Sequence, residues 1–160
     1  MLLTIDWRWK RFAELTSVEL YALLAARGAV FVVEQRCAYL DADGLDPCAW
    51  HLLGCAQHDG ERVLAAYLRL VEPGRKFDEP SIGRVLTTAA FRHRGLGRAL
   101  MHEGLRQAAA LYPGASVRIS AQCYLEPFYV ALGFQRVSDP YEEDGIPHIE
   151  MLRHAATESP

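Results

Sequence analysis

The sequence contains no Cys-x-x-Cys pair and no His-x-x-x-His, and no apolar run approaches the ~18 residues that a bilayer span needs. Its four cysteines, at 37, 48, 55 and 123, therefore lack the spacing of a zinc site. Cys37, Cys48 and Cys55 could be grouped with His51 on paper, but free thiols in a reducing compartment and no bound metal are the default reading. An excess of charge of one sign is missing too: 17 Lys+Arg against 20 Asp+Glu leave a net charge of −3. Such a balance supplies no global field for nucleic acid or an anionic membrane, so any anion site has to be local. Asp6 lies within the first ten residues, where a signal peptide would be apolar. Internal repeats, low-complexity tracts and linkers are absent as well. Together these absences predict a soluble, cytoplasmic protein with neither nucleic acid nor membrane as partner.

What is present suffices for one domain. Of 160 residues, 51% are hydrophobic and 23% charged, and a chain of this size can bury roughly 68–70% of its unfolded surface. Residues 4–12 set Ile5, Trp7, Trp9 and Phe12 among polar neighbours, which predicts a first strand. Thr16-x-x-Glu19 has the form of a capping box and should start a helix. Leu20, Leu23, Leu24, Arg27/Gly28 and Phe31 then give it one face for packing on a sheet.

After the polar loop Asp41–Pro47, Trp50–Gln57 and Val63–Val71 flank Asp59-Gly60, a hairpin signal, because both central residues of that turn need positive φ. Ile82–Thr88 is rich in β-formers, Gly95–Tyr112 has a helical period, and Val117–Gln122 is another strand. A short helix over Glu126–Leu132 is stopped by Gly133, and Phe134–Val137 with Ile146–Leu152 predict a closing hairpin. Strands precede, alternate with and follow helices, so the economical arrangement is one mixed sheet with helices on both faces. Residues 155–160 read as a disordered tail.

Chemistry concentrates in Arg92-His93-Arg94-Gly95-Leu96-Gly97-Arg98, a cationic spot where a strand hands over to a helix. Gly95 and Gly97 remove two Cβ atoms, and the first helical turn offers unpaired N–H groups carrying about +0.5 elementary charge, a fit for phosphate. The stretch lacks the Lys-Ser/Thr of a Walker A loop and the third glycine of a dinucleotide fingerprint.

Arg92-x-x-Gly95-x-Gly97 resembles motif A of the GNAT (general N-acetyltransferase) superfamily, and Phe128-Tyr129-Val130-Ala131-Leu132-Gly133-Phe134 resembles its Phe-Tyr-x-x-Leu-Gly-Phe signature. Val30–Gln35, Tyr39, Asp43, Asp46, His51, Gly83-Arg84-Val85 and Tyr141–Ile149 extend the likeness to an ElaA-like branch, over roughly residues 5–153. Two departures stand out: Gln122 replaces the Asn of many GNATs, and Pro47-Cys48-Ala49-Trp50 precedes His51. The resemblance implies a single GNAT domain over residues 1–154, α/β in class, with a twisted, mostly antiparallel mixed sheet of about six to seven strands.

It also implies acetyl-CoA as co-substrate. The pyrophosphate would lie at Arg92, His93, Arg94, Gly95, Leu96, Gly97 and Arg98, and the pantetheine arm along Val85, Leu86 and Thr87, with Gln122, Phe128 and Tyr129 nearby. A bulge at Leu86-Thr87 would aim an amide at the thioester oxygen. The other partner is a small or peptidic amine; a homodimer is left open.

An alkylamine of pKa near 10.4 needs about 4–5 kcal/mol to be neutral at pH 7, so a base must help. Glu34, His51 and His148 are the candidates, with Glu34 preferred, and Tyr129 would return a proton to the leaving thiolate. Cys123 offers a ping-pong alternative, and the acids at 41, 43 and 46 and at 142–144 could draw a cationic acceptor to the mouth. A non-catalytic acyl-CoA sensor, or a phosphate-binding fold unrelated to CoA, would carry the same cradle without turnover.

Overall fold

The computed structural model describes residues 3–156. Strand β1 (Asp6–Arg11) leads through a 3₁₀ turn to helix α1 (Ser17–Arg27). The capping box forms as expected, with Glu19 N donating to Thr16 Oγ1 at 3.1 Å and Thr16 N to Glu19 Oε2 at 2.9 Å. The helix then widens into a π-helical segment, Gly28–Glu34, where Gln35 N reaches back to Val30 O at 3.3 Å.

Strands β2 (Ala49–His58) and β3 (Glu61–Val71) turn at Asp59 and Gly60, whose φ values of 51° and 82° satisfy the tight hairpin. Next come β4 (Ser81–Thr87), α2 (Leu96–Leu111), β5 (Val117–Gln122), α3 (Glu126–Val130), β6 (Gln135–Arg136), β7 (Tyr141–Glu143) and β8 (Ile146–Arg153). The sheet runs β1-β2-β3-β4-β5-β8-β6, with β7 also on β8, eight strands among the described residues. Of these, β4 and β5 form the one parallel pair. The extra strand is β7: its three residues close a second Asp-Gly hairpin, Asp144-Gly145, onto β8. The expected tail lies mostly at residues 157–160, outside the described residues.

Alternation along the strands splits the core in two. Leu52 and Leu68 face α2, joining Leu100, Met101 and Phe134, while their neighbours Leu53 and Tyr67 face α1 and Leu23. Helices thus cover both faces. Leu24, expected on the α1 stripe, stays 39% exposed, and Arg27 on that stripe is 0% exposed.

Arg27 is buried because it joins an ionic cluster under the loop between α1 and β2. Its Nε donates to Asp41 at 2.7 Å and its Nη1 to Asp46 at 2.6 Å. Arg69 of β3 donates to Asp43 at 2.8 Å and Asp46 at 2.9 Å. Arg84 of β4 reaches Asp41 Oδ1 at 2.8 Å and Asp41 O at 3.1 Å.

That last contact sits at a bulge. Tyr67 faces Leu86 while Arg69 faces Gly83, so three steps along β4 oppose two along β3. Arg84 absorbs the difference at φ 53°, a conformation that costs about 1–3 kcal/mol in a non-glycine residue and that the Asp41 bonds hold in place. Beyond the single pair Ser81↔Arg118, β4 and β5 have no further ladder pairs and leave a gap.

Burial alone would raise the Asp43 and Asp46 carboxyls, but the Arg69 and Arg27 guanidinia outweigh it and hold both below the usual range. Their stabilisation is therefore complete above the ordinary carboxylate value near 3.9 and is lost as pH falls from there through the depressed folded values. The urea midpoint should decline gently below about pH 6.5, where the unfolded chain protonates His51 and the folded core resists it, and drop steeply below about pH 4 as these carboxyls protonate. Asp46→Ala should cost about 3–5 kcal/mol at pH 7 by leaving buried guanidinium groups unpaired.

Candidate active site

The gap between β4 and β5 opens into a cavity of about 880 Å³. Val85, Leu86 and Thr87 form one wall, with Ile119 to Gln122 opposite. The missing ladder leaves backbone groups on the facing edges of β4 and β5 free to bond an extended guest. The bulge that re-aims this edge is at Arg84–Val85, not at Leu86-Thr87 as the sequence suggested. Gly83, a glycine inside a strand pattern, was the readable sign of it.

Past the C-terminal end of β4, the chain reaches α2 through His93 and Gly95, both at positive φ (61° and 72°). Ala99 is the first residue of that turn whose amide bonds back, to Gly95 O at 3.3 Å. Among the described residues, the amides of 94–98 have no acceptor. A Cβ on Gly95 would meet nothing within 4 Å, and one on Gly97 only Phe128 Cζ at 3.8 Å. Gly95 is needed for its φ, whereas Gly97 answers neither a φ nor a neighbour, and its missing Cβ leaves the helix start open to close approach. The donor set therefore fits an anion. Arg94 stands over the Phe91 ring at 5.9 Å with its guanidinium otherwise unpaired among the described residues. Arg92 turns inward, donating to Thr87 O at 3.2 Å and to Glu34 Oε2 at 2.7 Å.

Two of the three candidate bases line the cavity. Glu34, at the end of the π-helical segment, does so with its carboxylate engaged by Arg92. His148 on β8 does so with Nδ1 2.7 Å from Ile146 O; a carbonyl can only accept, so Nδ1 carries a proton and Nε2 is the nitrogen turned toward Glu143. Glu143 Oε2 lies 3.5 Å from that Nε2 and accepts from Ser120 Oγ at 3.1 Å. Ser120 also bonds Tyr141, which stacks on the His148 ring.

The third, His51, is 0% exposed and outside the cavity. Its ring nitrogens are taken by Tyr67 Oη at 2.7 Å and Asp46 O at 3.0 Å, and burial lowers its pKa. Structure thus separates it from the other two.

Tyr129 is buried and lines the cavity, its hydroxyl unpartnered among the described residues; burial, reinforced by Tyr124, pushes its pKa up to about 12. Gln122 lines the wall and donates to Gln35 at 3.1 Å. Phe128 instead packs edge-on against Tyr129, centroids 5.1 Å apart, outside the lining, as do residues 93–98. Cys123 is free and also outside it. Of the loop acids, Asp41, Asp43 and Asp46 are consumed by Arg27, Arg69 and Arg84, so they form a scaffold and not a lure; Glu143 and Asp144 face the cavity.

Residues 56–154 match the family model of the acetyltransferase (GNAT) domain. The chain belongs to the GNAT family. This GNAT is 45% identical over 148 residues to the UPF0039 protein sll0451 of Synechocystis, covering 92% of this chain and 94% of that one. It superposes on the crystal structure of an acyl-CoA N-acyltransferase from Pseudomonas aeruginosa with a TM-score of 0.86, at 46% identity and 94% and 99% coverage. Escherichia coli ElaA gives a TM-score of 0.85 at 39% identity, with 94% and 100% coverage. The mostly antiparallel sheet with one parallel junction is the fold that the GNAT resemblance implied.

His51→Phe, which keeps the ring volume and removes both polar contacts, should destabilise the protein by about 1–3 kcal/mol, read as a lower urea midpoint, because Tyr67 Oη and Asp46 O are left unpaired in the core.

Proposed function

We propose that this GNAT is an N-acetyltransferase that moves acetyl from acetyl-CoA to a primary amine by direct attack, both substrates being bound together. The observation that carries the reading is the open edge of β4 beside the Tyr129 hydroxyl in one cleft, with the unused amides of 94–98 following β4 at the start of α2. The P. aeruginosa protein is described as an acyl-CoA N-acyltransferase, and its 46% identity supports an acyl-CoA donor here.

In this reading Arg94 and the amides of 94–98 hold the diphosphate, the helix start adding its partial positive charge. Arg92 neighbours the diphosphate site while its ion pair draws Glu34 toward Thr87. The β4 edge at Val85–Thr87 pairs with the amide-rich pantetheine arm, and a backbone N–H there steadies the thioester oxygen as negative charge builds on it.

His148 is the base that the geometry favours. Its Nε2 lone pair takes a proton from the incoming ammonium, and Glu143 at 3.5 Å steadies the resulting imidazolium. The amine nitrogen then bonds to the acetyl carbon, the carbon–sulfur bond breaks, the sulfur receives the Tyr129 proton, and the second nitrogen proton passes to the phenolate so formed while His148 releases its proton to solvent. The burial that raises this phenol also destabilises a thiolate beside it, so the proton passes between groups shifted in the same direction.

Acetyl-CoA should raise the melting temperature, and Arg94→Glu should abolish the rise. Gly97→Ala should leave stability unchanged or up to about 1 kcal/mol higher while weakening acetyl-CoA, a split that a purely structural glycine would not produce. In a CoA-release assay over a panel of amines, Tyr129→Phe and His148→Gln should each lower kcat by about 10²-fold or more. Binding of acetyl-CoA without release on any amine would favour the sensor, and equal protection by free phosphate would favour an unrelated anion site.

A further inference from the structure

The cavity runs beyond the thioester end of the β4/β5 gap to a mouth framed by Tyr39–Leu45, the loop before β4, and the β7–β8 hairpin. Most charges at this end cancel locally. Arg84 is paired with Asp41 and Asp43, Arg75 lies 3.9 Å from Glu72, and Glu143 is held by Ser120 beside His148. Lys76 is the exception: among the described residues no carboxylate lies within 4 Å of its ammonium, which instead hangs 5.5 Å over the Phe77 ring. Although open at the mouth, it is crowded enough that burial, with Arg69 and Arg84 adding positive potential, pushes its pKa down against the pull of Glu143 and Asp43. A cation so placed favours an anionic guest.

Glu143 and His148 across the same space suit an ammonium. Two exposed apolar side chains also line the cavity: Leu40, 79% exposed, and Tyr124, 71% exposed.

We propose that the acceptor is a free amino acid with an apolar side chain: its carboxylate pairs with Lys76, its amine meets His148 and Glu143, and its side chain lies against Leu40 and Tyr124. This rests on the acetyl-transfer reading above and narrows its acceptor. Amine and carboxylate on one small molecule match Lys76 and the acid–imidazole pair; a polyamine or an amino sugar brings no carboxylate for Lys76, and a peptide amino terminus has converted its own into an amide. The reaction balances as one N–C bond formed and one C–S bond broken, with one amine proton leaving through His148 and the second replacing on Tyr129 the proton that goes to the thiolate.

The test is CoA release from acetyl-CoA with matched pairs, leucine against 3-methylbutylamine and phenylalanine against phenethylamine. The amino acids should lead by at least tenfold in kcat/KM. Lys76→Met should remove most of that lead, carried by KM; Lys76→Arg should keep it, and Lys76→Glu should invert it. Decarboxylated amines turned over as well as the amino acids, or an unchanged amino-acid KM in Lys76→Met, would overturn the proposal while leaving acetyl transfer intact. Absence of release with all four, alongside release on another amine of the wider panel, would overturn the acceptor assignment alone; absence on every amine would overturn acetyl transfer with it.

Discussion

The site depends on one ionic cluster, in which Arg27, Arg69 and Arg84 share the carboxylates of Asp41, Asp43 and Asp46. Two of those guanidinium groups are almost wholly buried, so neither could remain without its counter-charges. The cluster ties α1, β3 and β4 to the loop that walls the cavity. It also fixes Arg84 in the left-handed conformation that gives β4 its extra residue. A strand with that bulge twists away from its parallel neighbour, and the separation of β4 from β5 is what makes a cleft in an otherwise continuous sheet.

Along the cleft the protein divides its electrostatics by distance. At the start of α2, no acceptor among the described residues takes the amides of 94–98, and the glycines give room for close approach. Midway, apolar walls and the buried Tyr129 keep a proton on the phenol. At the far mouth an imidazole with a fixed tautomer sits beside a carboxylate, across from an unpaired ammonium. In the proposed reaction, anion grip, proton return and acceptor capture would thus occupy separate positions on one scaffold.

Much of this was legible in the sequence because local chemistry dictates it. The Thr16/Glu19 box, the Asp59-Gly60 turn and the Gly95/Gly97 handover each depend on a few neighbouring residues, and each forms where its pattern lies. The motif order then pointed to the family and hence to the sheet. What resisted reading is non-local. The acids at 41, 43 and 46 look like a solvated loop until Arg69 and Arg84, 23 or more positions away, are brought under them. His51 has the chemistry of a base, and only packing shows both nitrogens spent. Strand β7 is three residues long, too short for any periodicity, and the π-helical widening that carries Glu34 leaves no compositional trace.

The central claim is that the backbone hydrogens of residues 94–98 are held free in order to receive a diphosphate. Amide hydrogen exchange resolved to single residues measures this directly. The account predicts fast exchange at 94–98 in the protein alone and strong protection on adding acetyl-CoA, extending to the amides of Val85–Thr87. Protection already present without the coenzyme, or exchange at 94–98 that saturating acetyl-CoA leaves untouched, would contradict it.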